Sequence, residues 1–468
     1  MTAKALILAA GAGTRMKSDK PKVVHEVLGK PLVRWVVDAA HDAGIEDVVT
    51  VLGHMSEKVA PFVEGDTKIA IQTQQLGTGD AVNAGREAFT QADGSIAEGS
   101  LVVLSGDCPL ITPETIQALI AKREETGAAV VVLTMHMDDP FGYGRIVREG
   151  EAVVRIVEQK DANEQEAAIT ECNSGFYCFD APALFDALSR VSNDNAQGEY
   201  YLTDVLEICR NDGREVLALQ TADAEEAMGV NSRVQLAQAT HAMQHRINNR
   251  HMMAGVTMWD PESTFIGPDV EIAQDVELWP QTYLLGTTKV GSHSVIGPNT
   301  RLTDTQVGCG ARVDETVAIE AQIDAAAECG PRAYLRPGTH LCEGAKAGTH
   351  VEIKKSTIGK GSKVPHLSYI GDTTMGENVN IGAGSITCNY DGVNKNHTEI
   401  GDNVFVGSDT MMVAPVSIGA GAIIGASSCI TRDVAPDALA LERADQREIE
   451  GWAAKHMAKL KAKKEAAK

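Results

Sequence analysis

A chain of 468 residues is too long for one ordinary hydrophobic core, so two or three domains are expected. Hydrophobic residues make up 43% and aromatics only 4%, which predicts cores of Ala, Val, Ile and Leu. A formal net charge of −22 excludes nucleic acid and anionic lipid as general partners, so a phosphate ligand must be held by a few local cations and backbone N–H groups.

Nine cysteines, an odd number without any C-x-x-C pair, predict reduced structural thiols in a reducing compartment. The apolar run at 5–10 is too short for a secretory signal, and it leads into a glycine loop with Arg15 and Lys17. No apolar run reaches membrane-spanning length. Together these predict a cytoplasmic protein.

The first 229 residues alternate strand and helix patterns. Buried strands are predicted at 5–10, 48–52, 101–104 and 130–134. An amphipathic helix is predicted at 31–43, with Leu32, Val33, Val36 and Val37 on one face. Strands separated by helices imply βαβ units and a mainly parallel sheet, a Rossmann-like α/β domain. Residues 230–254 hold no Gly or Pro and read as a helical linker, or as a surface helix packed on the first domain.

The glycine-rich string Leu8-Ala9-Ala10-Gly11-Ala12-Gly13-Thr14-Arg15-Met16 leaves the first strand directly, and Lys20-Pro21-Lys22 follows. Such a loop lets backbone N–H groups approach phosphates, with Arg15 and Lys22 supplying positive charge. The segment Gln72-Thr73-Gln74-Gln75-Leu76-Gly77-Thr78-Gly79 offers an amide and a close backbone for reading a base edge. The strand ending Ser105-Gly106-Asp107 places an acid where open α/β sheets bind ligands, and a hard oxygen there suits Mg²⁺.

From Ile266 onward the texture changes to a six-residue repeat. Apolar residues recur at Leu335, Leu341, Ala347 and Ile353, then at Ile358, Val364 and Ile370. Ile400, Val406, Met412, Ile418, Ile424 and Ile430 continue it. Glycine or another small residue tends to follow the apolar one, and a small or β-branched residue tends to sit four places after it. Each hexad is expected to be one short strand plus a turn, so that stacked coils bury a continuous interior column. The register breaks between Ile386 and Ile400, which predicts an extruded loop. Residues 255–442 form this domain, and 443–468 form a tail whose basic run from Lys455 to Lys468 reads as solvated.

The first string and the Lys20-Pro21-Lys22 that follows resemble the sugar-nucleotidyltransferase signature, and the hexads resemble the left-handed parallel β-helix of acyltransferases. Gly142-Tyr143-Gly144-Arg145-Ile146, Glu158, Asn173-Ser174-Gly175 and Gly229-Val230-Asn231 then follow in order. Across essentially its full length the chain is similar to the bacterial bifunctional N-acetylglucosamine-1-phosphate uridylyltransferases/glucosamine-1-phosphate N-acetyltransferases.

That resemblance implies two sites and a homotrimer. In the first, Leu8, Ala9, Ala10, Gly11, Gln72 and Gly77 hold the uridine part, with Ser105 and Gly106 beside them. Arg15 and Lys22 face the triphosphate, Thr78, Gly144, Glu158 and Asn173 bind the N-acetylglucosamine, and Asp107 and Asn231 ligate Mg²⁺. In the second, His366 is the general base. Arg336, Lys354, Tyr369 and Asn380 surround the sugar phosphate, with Glu352 a candidate to orient the histidine or the amine. Ala383, Asn389, Tyr390, Ser408, Ala426 and Arg443 contact acetyl-CoA. Pro365 departs from the family's glycine before the histidine. Two rival readings change the function: another sugar-1-phosphate nucleotidylyltransferase with a non-catalytic β-helix, or a non-enzymatic scaffold.

Overall fold

The computed structural model describes residues 3–467; Met1, Thr2 and Lys468, at the ends of the expected first domain and tail, lie outside the described residues. The chain separates into two units: Met1–Met253 with Phe265–Asp269, and Ala254–Thr264 with Val270–Lys468. The helix Arg233–Met253, expected as a linker or as a helix packed on the first domain, falls within the first unit.

In the first unit the strand Lys4–Ala9 pairs in parallel with Asp47–Leu52 on one side and Ser100–Ser105 on the other. Its residues alternate between two cores: Ala5, Ile7 and Ala9 join one, and Leu6 joins the other. After Lys4 every residue of the strand is apolar, which is what a parallel sheet covered on both faces requires. The sheet is mainly parallel along its main path, as expected, and becomes mixed through one inserted strand and a side hairpin. Glu171–Asp180 runs antiparallel to both Ser100–Ser105 and Val130–His136, and Arg145–Glu149 and Ala152–Val157 add an antiparallel hairpin. An antiparallel strand needs no crossover helix, so the alternating pattern that announces βαβ units does not reveal it. Within Glu171–Asp180 the register shifts between Asn173 and Tyr177, and this lifts residues 174–176 out of the regular ladder. The amphipathic helix spans Leu32–Asp42 and buries Leu32, Val33, Val36, Val37 and Ala40.

The second unit is a left-handed parallel β-helix whose coils each give one short strand to three parallel sheets. The repeat positions from Leu335 to Ile370 and from Ile400 to Ile430 are all buried, forming the interior column. At several coils the residue four places on is buried as well and its hydroxyl caps the corner: Thr410 Oγ1 donates to Gly407 O at 2.7 Å and Ser428 Oγ to Gly425 O at 2.6 Å. The glycine after the apolar residue has a steric cause, because a Cβ on Gly401 would lie 2.6 Å from Ala420 N of the next coil. The extruded loop is a tight hairpin bridged at Tyr390 and Lys395. Beyond it, the helix Trp452–Ala466 buries no residue. Among the described residues, no helix is long and apolar enough to cross a membrane.

Candidate active sites

In the first unit, a cavity of about 370 Å³ opens at the C-terminal ends of the Lys4–Ala9 and Ser100–Ser105 strands. Leu8, Ala9, Ala10, Gly11, Lys22, Gln72, Gly77, Thr78, Ser105 and Asp107 all line it. Gly106 continues the wall, its N–H donating to Leu8 O at 2.9 Å. Gly77 holds φ 117°, and a Cβ on it would lie 2.6 Å from Tyr200 O, so only glycine lets the two segments meet. Thr78 Oγ1 accepts from Leu202 N at 3.0 Å and ties the same junction. Gln72 is buried, and its Nε2 donates to Asp80 Oδ2 at 2.8 Å and to Gly77 O at 3.2 Å. The amide expected to read a base edge therefore also braces its own loop.

Lys22 Nζ donates to Asp107 Oδ2 and, at 2.9 Å, to Asn231 Oδ1. Val230 N donates to Asp107 O at 2.9 Å, which brings residues 229–231 against the end of Ser100–Ser105. A carboxylate and an amide oxygen thus converge on one ammonium. Two hard oxygens already gathered around a cation fit a Mg²⁺ ion. Gly13 packs on the stem of Lys22 and sets its direction.

Gly144, Glu158 and Asn173 meet beside this cavity. A Cβ on Gly144 would lie 3.4 Å from Asn173 Cβ and 3.5 Å from Glu158 Oε1, and Asn173 N donates to Gly144 O at 2.9 Å. Gly175, in the shifted segment, approaches Ser105 of the cavity wall. Asn173 Nδ2 and the buried Tyr177 hydroxyl are 2.7 Å apart. Burial pushes the Glu158 carboxyl above its ordinary range, a rise opposed by the hydrogen bond from Thr203 Oγ1 at 3.4 Å. Arg15 stands apart: it is exposed on the 3₁₀ turn Thr14–Met16 and does not line the cavity. Sequence reasoning passed over Glu199 and took Gln75 only as part of its loop; both line the cavity, and Gln75 Nε2 donates to Ala10 O at 2.7 Å. Glu199 carries no local signal, because it arrives through the long-range junction at Gly77.

In the second unit, Arg336, Glu352, Tyr369 and Asn389 stack along one sheet. Glu352 is the ladder neighbour of Tyr369, and Arg336 Nη1 donates to Glu352 Oε1 at 2.9 Å. Glu352 is thus held by Arg336 and has no bond to the His366 ring. Lys354 is the ladder partner of Gly371, the glycine on which the Tyr369 and Asn389 side chains close. Asn389 Nδ2 donates to Tyr369 Oη at 3.4 Å and to Asp372 Oδ2. His366 ends a strand of a different sheet, which also carries Asn380 through the pair Lys363 and Asn380. It is exposed at the corner before Tyr369, and Ser368 Oγ donates to its carbonyl at 2.7 Å. Pro365 lies within that strand, its carbonyl closing on Gly348.

A second line of residues runs up one corner. Asp409 N donates to Ala383 O at 2.7 Å, Ser427 N to Ser408 O at 2.8 Å, and Arg443 Nη1 to Ala426 O at 2.9 Å. Ala383, Ser408, Ala426 and Arg443 therefore form one continuous ledge of small side chains ending in a cation. Tyr390 is exposed on the neighbouring loop, with Lys395 Nζ 4.1 Å from its ring centroid.

Residues 5–207 match the family described as MobA-like NTP transferase domain, and residues 397–432 match the bacterial transferase hexapeptide family of six repeats. The chain is 51% identical to the bifunctional protein GlmU of Streptomyces coelicolor over 97% of this chain and 94% of that one. It is 50% identical to the GlmU of Syntrophotalea carbinolica over 98% of both, and 49% identical to that of Streptomyces avermitilis over 97% and 94%. Identity of this degree runs through the α/β unit and the β-helix alike, and the chain belongs to the family of the bifunctional protein GlmU.

Proposed function

We propose that the chain is a bifunctional transferase that makes UDP-N-acetylglucosamine. The β-helix acetylates glucosamine-1-phosphate with acetyl-CoA, and the α/β unit transfers UMP from UTP to N-acetylglucosamine-1-phosphate. The observation that carries this reading is the presence, in each unit, of its own built site: the Lys22–Asp107–Asn231 cluster beside a backbone-lined cavity, and the Arg336–Tyr369–Asn389 group beside a small-residue ledge.

In the first reaction a phosphate oxygen of the sugar phosphate attacks the α-phosphorus of UTP, the bond to the β-phosphate breaks, and pyrophosphate leaves. No protein nucleophile is required. The backbone at residues 8–11 and Gln72 positions the uridine, Gly144, Glu158 and Asn173 position the sugar, and Lys22 leaves its two oxygens to neutralise the phosphates. Arg15 reaches the triphosphate from its exposed turn. Bound Mg²⁺, held by Asp107 and Asn231, supplies further charge neutralisation at the phosphates.

In the second reaction the sugar amine attacks the thioester carbonyl and the coenzyme A thiol leaves. His366 accepts the amine's proton, Arg336 and Lys354 hold the phosphate, Tyr369 and Asn380 orient the sugar, and Asn389 meets the acetyl group. The ledge from Ala383 to Arg443 takes the pantetheine arm.

The active form is a homotrimer. Phe405, Ile423 and Leu439 are exposed and stand in register on the sheet that carries His366, and such an apolar row favours self-association. Phe405→Asp is expected to shift the particle mass measured by light scattering from three chains to one. Nine unpaired thiols and nucleotide co-substrates favour a reducing, cytoplasmic location.

The test follows free thiol and pyrophosphate separately. Lys22→Ala is expected to lose about 100-fold or more of pyrophosphate release with thiol release intact. His366→Ala is expected to do the reverse. Pyrophosphate from another sugar phosphate, without any thiol release, would leave the β-helix a scaffold.

A further inference from the structure

One corner row of the β-helix directly follows the buried residue of each strand in the sheet that begins at Glu271–Ile272. It is occupied by Gly291, Gly308, Gly359, Gly376, Gly401 and Gly419. A Cβ there would meet the next coil's backbone, at 2.8 Å for Gly291 and 2.6 Å for Gly401. Two consecutive coils depart from this row with side chains that bind metals, Asp324 and Cys342. His340 sits between them on the strand His340–Leu341.

The three side chains converge. His340 Nε2 lies 2.8 Å from Asp324 Oδ2 and 3.9 Å from Cys342 Sγ, and one donor atom of each residue lies within 4.8 Å of the others. Gln322 Nε2 donates to Asp324 Oδ1 at 2.9 Å, which turns the other carboxylate oxygen toward the ring. This is unlike the ordinary ion pairs of the coils. Lys289–Glu271 and Lys346–Glu328 join residues directly opposite in the ladder. His340 is opposite Gln322, so Asp324 reaches it from the corner instead.

We propose that Asp324, His340 and Cys342 form a binding site for one Zn²⁺ ion. Zinc bonds of about 2.0–2.3 Å in tetrahedral geometry set donor atoms roughly 3.3–3.8 Å apart. The distances here need only small rotamer adjustments to reach that. A thiol and an imidazole disfavour Mg²⁺ and Ca²⁺ and favour a borderline-soft cation. Three protein ligands leave a fourth position for water, and the half-buried setting of all three residues gives it access. The Gln322 amide supports the carboxylate from behind. Burial, then the nearby Asp324 and Glu377 charges, hold the Cys342 thiol above its ordinary range.

The test uses the reduced full-length chain with excess Mg²⁺ to occupy oxygen-only sites, and Co²⁺ as the probe. The expected result is one equivalent of Co²⁺ with thiolate-to-cobalt charge-transfer absorbance, displaced by Zn²⁺. Cys342→Ser is expected to abolish the absorbance, and His340→Gln and Asp324→Asn to weaken binding about tenfold or more. Pyrophosphate and thiol release stay at wild-type rates in all three. Absence of the band in the wild type, or its persistence in Cys342→Ser, overturns the proposal. Should Cys342→Ser fail to fold, Asp324→Asn decides, and an unchanged Co²⁺ affinity overturns the site.

Discussion

Glu158 carries a thermodynamic signature of its own. Burial raises its carboxyl pKa in the folded state, so the folded chain keeps this proton longer than the unfolded chain. The stability tied to that proton is fully present below the ordinary value of 4.5 and is lost as pH rises through the raised value. Glu158→Gln is therefore expected to raise the melting temperature of the α/β unit near neutral pH, and to leave it unchanged in acid. The same variant is expected to raise KM for the sugar phosphate, because a charged acceptor is lost from its pocket. Melting curves across pH together with pyrophosphate kinetics check both parts; a gain in stability at acid pH alone would sink the argument. Glu158, Asn173 and Gly144 were legible as motif residues, whereas the partners that tune them, Thr203 and Tyr177, carry no motif.

The coils of the β-helix are stacked so closely that single atoms matter. Gly401→Ala places a methyl 2.6 Å from Ala420 N, so the next coil must move. The expected cost is about 1–3 kcal/mol, read as a lower denaturation midpoint of the β-helix, with UTP-dependent pyrophosphate release unchanged at low temperature. The extruded hairpin is governed by one acid. Asp391 Oδ1 accepts from Val393 N at 2.9 Å and Asn394 N at 2.7 Å, bonds that hold its carboxyl well below the usual carboxylate range. Asp391→Ala is expected to raise KM for acetyl-CoA several-fold and to speed amide exchange at residues 392–396. Unchanged values for both would show that the hairpin is held by other contacts. The hairpin was announced by a break in the hexads, but its internal bonds depend on a turn geometry that composition does not disclose.

With one site in each of two units, ligands are expected to act on one unit at a time. A UDP-sugar that binds only the folded α/β unit raises that unit's unfolding transition by mass action, and acetyl-CoA does the same for the β-helix. Calorimetry with each ligand is expected to move one transition and leave the other in place. A single transition moved by both ligands would mean that the units unfold together. Removing the residues after Gly451 is expected to leave both transitions unchanged, because the helix Trp452–Ala466 buries nothing. A change in coenzyme A affinity on the same deletion would give that helix a role in binding.

Periodicity was enough to read the layered sheet and the stacked coils, because burial imposes it residue by residue, whereas the hand of the coils came from the family resemblance. The hexad residues from Ile400 to Ile430 had to be apolar to fill a column, and residues 5–9 of the first strand had to be apolar to be covered on two faces. The glycine loop, Lys22 and Asp107, which the structure brings to one cavity, were likewise legible, since each belongs to a short local string. Folding was needed for whatever depends on segments distant in the chain. It made the sheet mixed by running Glu171–Asp180 antiparallel, brought Glu199 to the cavity through Gly77, and gave Glu352 to Arg336 rather than to His366. It left Arg15 out of the cavity and gathered Asp324, His340 and Cys342 from adjacent coils. Local sequence encodes what each residue must avoid or cover, whereas long-range contacts are chosen by the packing of complete elements, which no short string contains.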